Sequence, residues 1–272
     1  MSGHASHAGR GRAPRRDLPK PSTTWAYFLD FDGTLVELAP TPGGVNADES
    51  IRLLVQQLEA LSGGALAIIS GRTIGSLDAL LQSHHLSTAG QHGLERRTAS
   101  GVVRLHHPGV ASLDDARAFL APIVQRFPAL LLEDKGQSLA LHYRAAPELA
   151  SYAHRVMRTA CDRAGSDFSL LRGKRVVELI SAGANKGRAI QAFMAEPPFR
   201  GRRPVFIGDD RTDEAGFATV NTLGGVSVKV GRPPTAAHWT LPDSAAVRSW
   251  LRSVANDEQD TGDSTETHLA NA

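Results

Sequence analysis

The sequence has a single cysteine and no long apolar segment. Cys161 stands alone among 272 residues, which excludes an intramolecular disulfide framework and a zinc site built on paired cysteines. No apolar run approaches the roughly 20 residues that a membrane-spanning helix needs. No apolar segment follows the arginines near the start, so we expect no secretory signal. The expected protein is globular and cytoplasmic.

Charges of the two signs nearly balance over the chain, but they are unevenly distributed. Thirty Lys and Arg face 28 Asp and Glu, for a net charge of +2. Residues 1–20 carry +4 and residues 256–272 carry −5. Neither segment shows apolar periodicity, so we predict a disordered basic arm and a disordered acidic tail. Because the arm lacks interleaved aromatic residues and any recognised binding module, we expect neither nucleic acid nor membrane as a partner.

Between the two tails, apolar runs alternate with amphipathic segments. Residues 48–61 place apolar side chains at helical spacing behind Asp48, which predicts a helix with that residue as N-cap. Strands and helices that alternate in this way are typical of a parallel sheet covered by helices on both faces. Core strands are predicted at 25–31, 65–70, 86–90, 204–210 and 225–231, and core helices at 48–61, 75–82, 185–196, 212–220 and 244–255.

The alternation breaks in the middle of the chain. Residues 94–106 indicate a hairpin that turns at Ser100–Gly101, and a helix–strand–strand pattern then occurs twice before residue 182. We therefore predict a doubly wound, Rossmann-like parallel sheet, formed by residues 21–108 and 183–255, with a separate α/β module inserted at 109–182.

Carboxylates follow two of the predicted parallel strands. Asp30 and Asp32 end the first strand, and the segment 208–214, Gly-Asp-Asp-Arg-Thr-Asp-Glu, follows a later one. The carboxyl ends of parallel strands lie at one edge of the sheet, where open α/β sheets bind ligands. Converging carboxylates repel each other unless a cation lies among them, and Mg²⁺ prefers oxygen ligands. The sequence thus predicts a magnesium site at this edge.

Two further features suit a phosphate group at the same edge. Ser70-Gly71-Arg72 ends the second strand, where a hydroxyl and backbone N–H groups can hold phosphate oxygens. Lys186 begins a helix after a third candidate strand and can balance the charge of a dianion.

In their order along the chain, these motifs resemble the four motifs of the haloacid dehalogenase superfamily. The motifs are DFDGTL at 30–35, SGR at 70–72, Lys186 and GDDRTDE at 208–214. The insert resembles the α/β cap, type C2B, of sugar phosphatases. More closely, the chain is similar to the trehalose-6-phosphate phosphatase family, on the further segments GQHGLE at 90–95, EDK at 133–135, HYR at 142–144, Glu178 and NKGRAI at 185–190.

The resemblance implies Mg²⁺-dependent hydrolysis of trehalose 6-phosphate through an aspartyl-phosphate. It implies that Asp30 is the nucleophile, that Asp32 transfers protons, and that Lys186 holds the phosphoryl group. The implied phosphate and sugar contacts are Ser70, Gly71, Arg72, Glu133, Lys135 and Glu178. The implied metal ligands are Asp30, the backbone carbonyl of Asp32, and Asp209, supported by Asp210 or Asp213.

Two other functions remain open at the level of sequence. Another sugar phosphatase with this cap type, or a phosphomannomutase, would share the core and differ in its cap contacts. A non-catalytic regulatory module could bind a sugar phosphate or a synthase, but such a module has no chemical need for Asp32. If the family resemblance holds, a separate synthase supplies trehalose 6-phosphate. A monomer is favoured.

Overall fold

The computed structural model describes residues 17–39, 42–105 and 113–256, which form two β-sheets and seven α-helices. Most of the two predicted tails, and the segment 106–112 at the expected junction of core and insert, lie outside these residues. Among the described residues, no helix combines the length and the apolar character that crossing a bilayer requires.

The larger sheet has eight strands in the order β12-β11-β10-β1-β2-β3-β4-β5. Its strands from β12 to β3 are parallel, and β4 and β5 are added as an antiparallel hairpin at one edge. The strands are β1 (Trp25–Leu29), β2 (Leu66–Ile69), β3 (Ser87–Gly90), β4 (Glu95–Arg97), β5 (Val103–Leu105), β10 (Arg203–Gly208), β11 (Val226–Val230) and β12 (Trp239–Leu241).

Helices cover both faces of this sheet, as predicted. The helices are α1 (Glu49–Leu61), α2 (Ile74–Leu81), α5 (Lys186–Met194), α6 (Glu214–Thr222) and α7 (Ser244–Arg252). In β1, Tyr27 and Leu29 pack with α1, α2 and α7, whereas Ala26 and Phe28 pack with α5 and α6. A strand buried on both faces has a continuous apolar sequence. The predicted fold class is therefore confirmed.

Helix α1 shows how local sequence sets an element's start. The side chain of Asp48 accepts a hydrogen bond from the backbone N–H of Ile51 at 3.0 Å, which is the predicted N-cap. In contrast, the sequence did not predict β12, because three residues are too few to show a periodicity.

The second sheet is antiparallel, with the order β6-β7-β9-β8, and it forms the insert together with two helices. Its elements are α3 (Asp114–Arg126), β6 (Leu131–Asp134), β7 (Leu139–His142), α4 (Ala150–Ala164), β8 (Phe168–Gly173) and β9 (Val176–Ser181). Leu139, Leu141, Val177 and Leu179 pack against α3 and α4. Because side chains alternate along a strand, the intervening residues occupy the opposite face, which lies towards the larger sheet.

The last residues of the predicted basic arm are held against the core. The indole N–H of Trp239 donates to the carbonyl of Asp17 at 3.1 Å, and that of Trp250 donates to the carbonyl of Pro19 at 3.0 Å. Leu18 packs against the same apolar cluster. Residues 17–19 are thus ordered by the C-terminal part of the chain, although they lie within the predicted arm of residues 1–20.

Candidate active site

Asp30 lies where β1 ends, beside the end of β10. The two strands pair in parallel, with Leu29 opposite Ile207, and this pairing brings Asp30 close to Asp209. Asp30 is 4% exposed, and each of its carboxylate oxygens accepts a hydrogen bond. Lys186 donates to Oδ1 at 2.6 Å, and the hydroxyl of Thr34 donates to Oδ2 at 3.0 Å. These two donors fix the orientation of the carboxylate.

Lys186 connects two buried carboxylates. It begins α5 and is 2% exposed, and its Nζ donates to Asp30 Oδ1 and to Asp213 Oδ1, both at 2.6 Å. Burial alone would lower the pKa of Lys186, but the two carboxylates raise it above its ordinary value, so the ammonium stays charged. Burial raises the pKa of Asp30 well above its usual range, against the opposing charge of Lys186.

Three carboxylates could share a cation. Asp30, Asp209 and Asp213 each offer an oxygen, and these oxygens lie within 4.8 Å of one another. Burial, together with the charges of Asp213 and Asp210, raises the pKa of Asp209 to about 6. Asp209 can pack against the turn after β1 only because residue 33 is glycine. A Cβ at Gly33 would lie 2.3 Å from Oδ2 of Asp209.

The two carboxylates expected to support the metal have different surroundings. Asp213 is fully buried and belongs to the cluster, and its Oδ2 accepts a hydrogen bond from the backbone N–H of Asp210 at 2.8 Å. The side chain of Asp210 instead accepts hydrogen bonds from the backbone N–H groups of Arg211 and Lys174. Lys174 lies in the turn between β8 and β9, so Asp210 contacts the insert.

Asp32 and Arg72 form an ion pair at the same edge of the sheet. Arg72 donates from Nε to Oδ2 of Asp32 at 2.6 Å and from Nη2 to Oδ1 at 2.7 Å. The side chain of Asp32 is 26% exposed. The side chains of Asp30 and Asp32 thus have different partners, although both residues line one cleft.

Ser70 and Gly71 form the turn after β2, and both line this cleft. Ser70 is buried, and its Oγ accepts the backbone N–H of Arg72 at 3.2 Å. A Cβ at Gly71 would lie 2.7 Å from Nε2 of His92, so the ring of His92 occupies the space that any larger residue would need.

The insert contributes a row of polar residues to the opposite wall of the cleft. Strand register places Glu133 opposite Ala140, and Ala140 opposite Glu178, so the two carboxylates lie on one face of the sheet. Lys135 forms an ion pair with Glu178 and also donates to the carbonyl of Gly71 at 2.7 Å. The three residues that the resemblance assigned to sugar binding are therefore in one place.

Two histidines at this site received no role from the sequence. Nε2 of His92 lies 2.6 Å from Oε2 of Glu178, and Nε2 of His142 lies 2.8 Å from Oε2 of Glu133. Burial alone would raise the pKa of Glu133, but the hydrogen bond from His142 and the charge of Lys135 lower it. Both histidines belong to segments that carry the family resemblance, GQHGLE and HYR. Their place in these segments was the sequence signal that could have marked the two histidines as functional, but it did not indicate which carboxylates they contact.

A largely parallel sheet that carries an inserted α/β cap is the fold of the capped phosphoric monoester hydrolases of the haloacid dehalogenase type. The model of the family described as trehalose-phosphatase matches residues 28–245, and the chain belongs to this family. The resemblance drawn from the motifs is thereby confirmed.

Individual relatives agree with the family match. The protein of Escherichia coli (strain K12) named trehalose-6-phosphate phosphatase is 43% identical over 245 residues, which cover 89% of this chain and 90% of the relative. A Sinorhizobium fredii protein named probable trehalose-phosphate phosphatase is 40% identical over 254 residues, covering 92% of this chain and 95% of the relative. A solved trehalose-6-phosphate phosphatase related protein is 25% identical with a TM-score of 0.69, covering 86% of this chain and 99% of that chain.

Proposed function

We propose that this chain hydrolyses trehalose 6-phosphate to trehalose and phosphate, as the last step of trehalose synthesis in the cytoplasm. The observation that carries the proposal is the position of Asp30. Its carboxylate is held by Lys186 at the floor of a cleft, and polar residues of the cap form the opposite wall. A phosphate ester on the floor would place its sugar against that wall.

In the first proposed step, Asp30 attacks phosphorus. A P–O bond to Asp30 forms while the bond to the sugar oxygen breaks, and Asp32 gives a proton to that oxygen. In the second step, water attacks phosphorus and gives its proton to Asp32, which releases phosphate and restores Asp30. Ser70, Gly71, Arg72 and Lys186 are proposed to hold the phosphoryl oxygens throughout.

We propose Mg²⁺ as the cofactor. Asp30, Asp209 and Asp213 supply a set of hard oxygen donors of the kind that Mg²⁺ prefers, and the backbone carbonyl of Asp32 remains a candidate ligand. Asp213 is the better placed of the two supporting residues, because Asp210 contacts the cap. When bound, the ion would offset the repulsion between Asp30 and a phosphate dianion.

The cap is proposed to select the sugar. Glu133, Lys135 and Glu178 offer acceptors and donors that suit the hydroxyl groups of a disaccharide. The predicted division into a core (21–108 and 183–255) and a cap (109–182) remains part of the proposal, as do a separate synthase that supplies the substrate and a monomeric state.

The test is phosphate release, with and without Mg²⁺, from trehalose 6-phosphate beside glucose 6-phosphate, sucrose 6-phosphate and mannose 6-phosphate. We expect trehalose 6-phosphate to be hydrolysed with the highest kcat/KM. A preference for another sugar phosphate would indicate a different capped phosphatase or a phosphomannomutase. Absence of turnover with every sugar phosphate would favour the regulatory module.

The Asp30→Asn variant tests the nucleophile. We expect no measurable turnover from a protein that still melts cooperatively, because asparagine keeps the shape of the side chain but is not a nucleophile. Asp162→Asn is the matched control, since Asp162 is an exposed carboxylate of α4 and is not among the residues that line the cleft. Substantial turnover by Asp30→Asn would disprove the assignment.

A further inference from the structure

A chain of largely buried polar groups along the cleft connects the cap to the core. It runs from the carbonyl of Gly71 to Lys135, from Lys135 to Glu178, and from Glu178 to His92. The side chains of Lys135, Glu178 and His92 are each exposed by less than a tenth. Lys135 and Glu178 belong to the cap, whereas Gly71 and His92 belong to the core, so the two parts of the fold share one hydrogen-bonded network.

Each oxygen of Glu178 has its own donor. Lys135 donates to Oε1, and Nε2 of His92 donates to Oε2. A carboxylate only accepts hydrogen bonds, so the proton must be on Nε2 of the imidazole. Burial by itself would raise the pKa of Glu178, but the charges of Lys135 and His92 lower it below its usual value. With both donors in place, the carboxylate has one orientation.

The backbone that carries His92 is strained. Gln91 and His92 have φ angles of 47° and 59°, in the left-handed region that side chains other than glycine rarely adopt. The N–H of His92 donates to the carbonyl of Ser70 at 2.9 Å, so this turn is attached directly to the proposed phosphate-binding turn. Such strain persists only where the surroundings require it, and it is concentrated at functional sites.

We propose that His92 is a positioning residue, which holds the carboxylate of Glu178 so that the sugar-binding face of the cap is aligned with the phosphate-binding turn at Ser70 and Gly71. The inference rests on the proposed function. His92 acts through Glu178, so its effect belongs to the recognition of the sugar. A small aryl phosphate, which does not extend to the cap, should depend on it much less.

Two substitutions separate the hydrogen bond from the backbone strain. In His92→Gln, the amide nitrogen reaches about as far as Nε2 and can donate to Glu178. In His92→Asn, the side chain is too short, although asparagine tolerates the left-handed region better than glutamine does. A purely structural role would favour Asn, whereas the positioning role favours Gln.

The first measurement is the ratio of kcat/KM for trehalose 6-phosphate to that for p-nitrophenyl phosphate. For His92→Asn we expect this ratio to fall about tenfold or more, mainly through KM, as for a lost hydrogen bond to a charged group. For His92→Gln we expect recovery of most of the ratio. An unchanged ratio in His92→Asn, or equal losses in both variants, would overturn the proposal.

A double-mutant cycle with Glu178→Ala provides a second test. If His92 acts through Glu178, His92→Asn should change the ratio little once Glu178 is absent. Additive losses would show that His92 acts independently.

A third measurement needs no turnover, so it separates failure of this inference from failure of the proposed function. Without any sugar phosphate, amides of β6 and β9 should exchange hydrogen faster in His92→Asn than in His92→Gln. Equal exchange rates would contradict the role of His92, whatever the substrate of the wild type is.

Discussion

Arg72 donates two hydrogen bonds to Asp32, one to each carboxylate oxygen, at 2.6 and 2.7 Å. The pair joins the turn after β2 to the turn after β1, forty positions apart in the chain. Asp32 is the proposed proton donor and Arg72 a proposed phosphate contact. Under the proposed roles, Arg72 orients Asp32 beside the reacting phosphate, and Asp32 gives up one of these hydrogen bonds whenever it carries the proton.

The first prediction concerns Arg72→Lys. Lysine keeps the charge but cannot form the two parallel hydrogen bonds of a guanidinium group. We expect kcat/KM to fall by about 10- to 100-fold, the effect of a lost hydrogen bond between charged groups. Because the change lies at the proposed phosphate-binding turn, activity on trehalose 6-phosphate and on p-nitrophenyl phosphate should fall together. Arg200→Lys, at an exposed arginine, is the control, and wild-type rates in Arg72→Lys would refute the prediction.

The second prediction concerns Glu178 and acid stability. Burial would raise the pKa of Glu178, but the charges of Lys135 and His92 have the larger, opposite effect. The pKa of Glu178 is therefore lower in the folded protein than its usual value near 4.5. Because its pKa is lower in the folded state, ionised Glu178 stabilises the fold at pH values above its unfolded-state pKa. This stabilisation is lost as the pH falls through its folded-state pKa. We expect Glu178→Gln to cost about 3 kcal/mol at pH 7, because Lys135 then lacks its charged partner.

The corresponding measurement is urea unfolding of the wild type and Glu178→Gln at pH 7 and below about pH 4. The difference in unfolding free energy should shrink in acid, where the wild type loses its own advantage. Glu49→Gln, at an exposed carboxylate in the first turn of α1, serves as the control. A difference that stays constant with pH would contradict the shift.

The third prediction links Mg²⁺ to pH through Asp209. The pKa of Asp209 is raised to about 6 in the folded protein. At pH values between its usual pKa and about 6, Asp209 therefore holds a proton in the folded protein that it has lost in the unfolded chain. Without metal, stability therefore falls as the pH rises through this window. Mg²⁺ binds the ionised form, so it should raise Tm more at pH 7.5 than at pH 5.

Thermal unfolding with and without Mg²⁺ at the two pH values tests this link. Asp209→Asn should lose most of the Mg²⁺-dependent rise in Tm. Asp162→Asn should keep it, because Asp162 is an exposed carboxylate of α4 outside the cluster of Asp30, Asp209 and Asp213. Equal rises at both pH values, or an unaffected Asp209→Asn, would show that the metal binds elsewhere.

The fourth prediction concerns Gly71. An added methyl group would lie 2.7 Å from Nε2 of His92, so Gly71→Ala must displace either the imidazole or the turn. We expect kcat/KM to fall by about a hundredfold, as for a small misplacement of groups near the reacting atoms. Gly75→Ala in α2, where a Cβ meets no atom within 4 Å, is the matched control and should keep full activity. Equal activities would show that the turn adapts freely.

Much of the core of the site could be predicted from sequence, because its residues lie at the ends of strongly patterned strands. The apolar runs before Asp30 and before Asp209 predict parallel neighbours, and parallel neighbours place their ends together. The partners within the cap could not be predicted. His92 and Glu178 are 86 positions apart, and no local pattern specifies which side chains meet when the cap packs on the core.

Local order along the chain thus determined the fold class, the Asp48 cap of α1 and the edge of the sheet at which the carboxylates gather, since these depend on periodicity and on strand direction. Tertiary packing decided that Lys186 lies between Asp30 and Asp213, that Arg72 pairs with Asp32, and that Asp210 faces the cap. Such pairings depend on distances of a few ångströms between separate elements, and those distances exist only after both sheets and their helices have packed together.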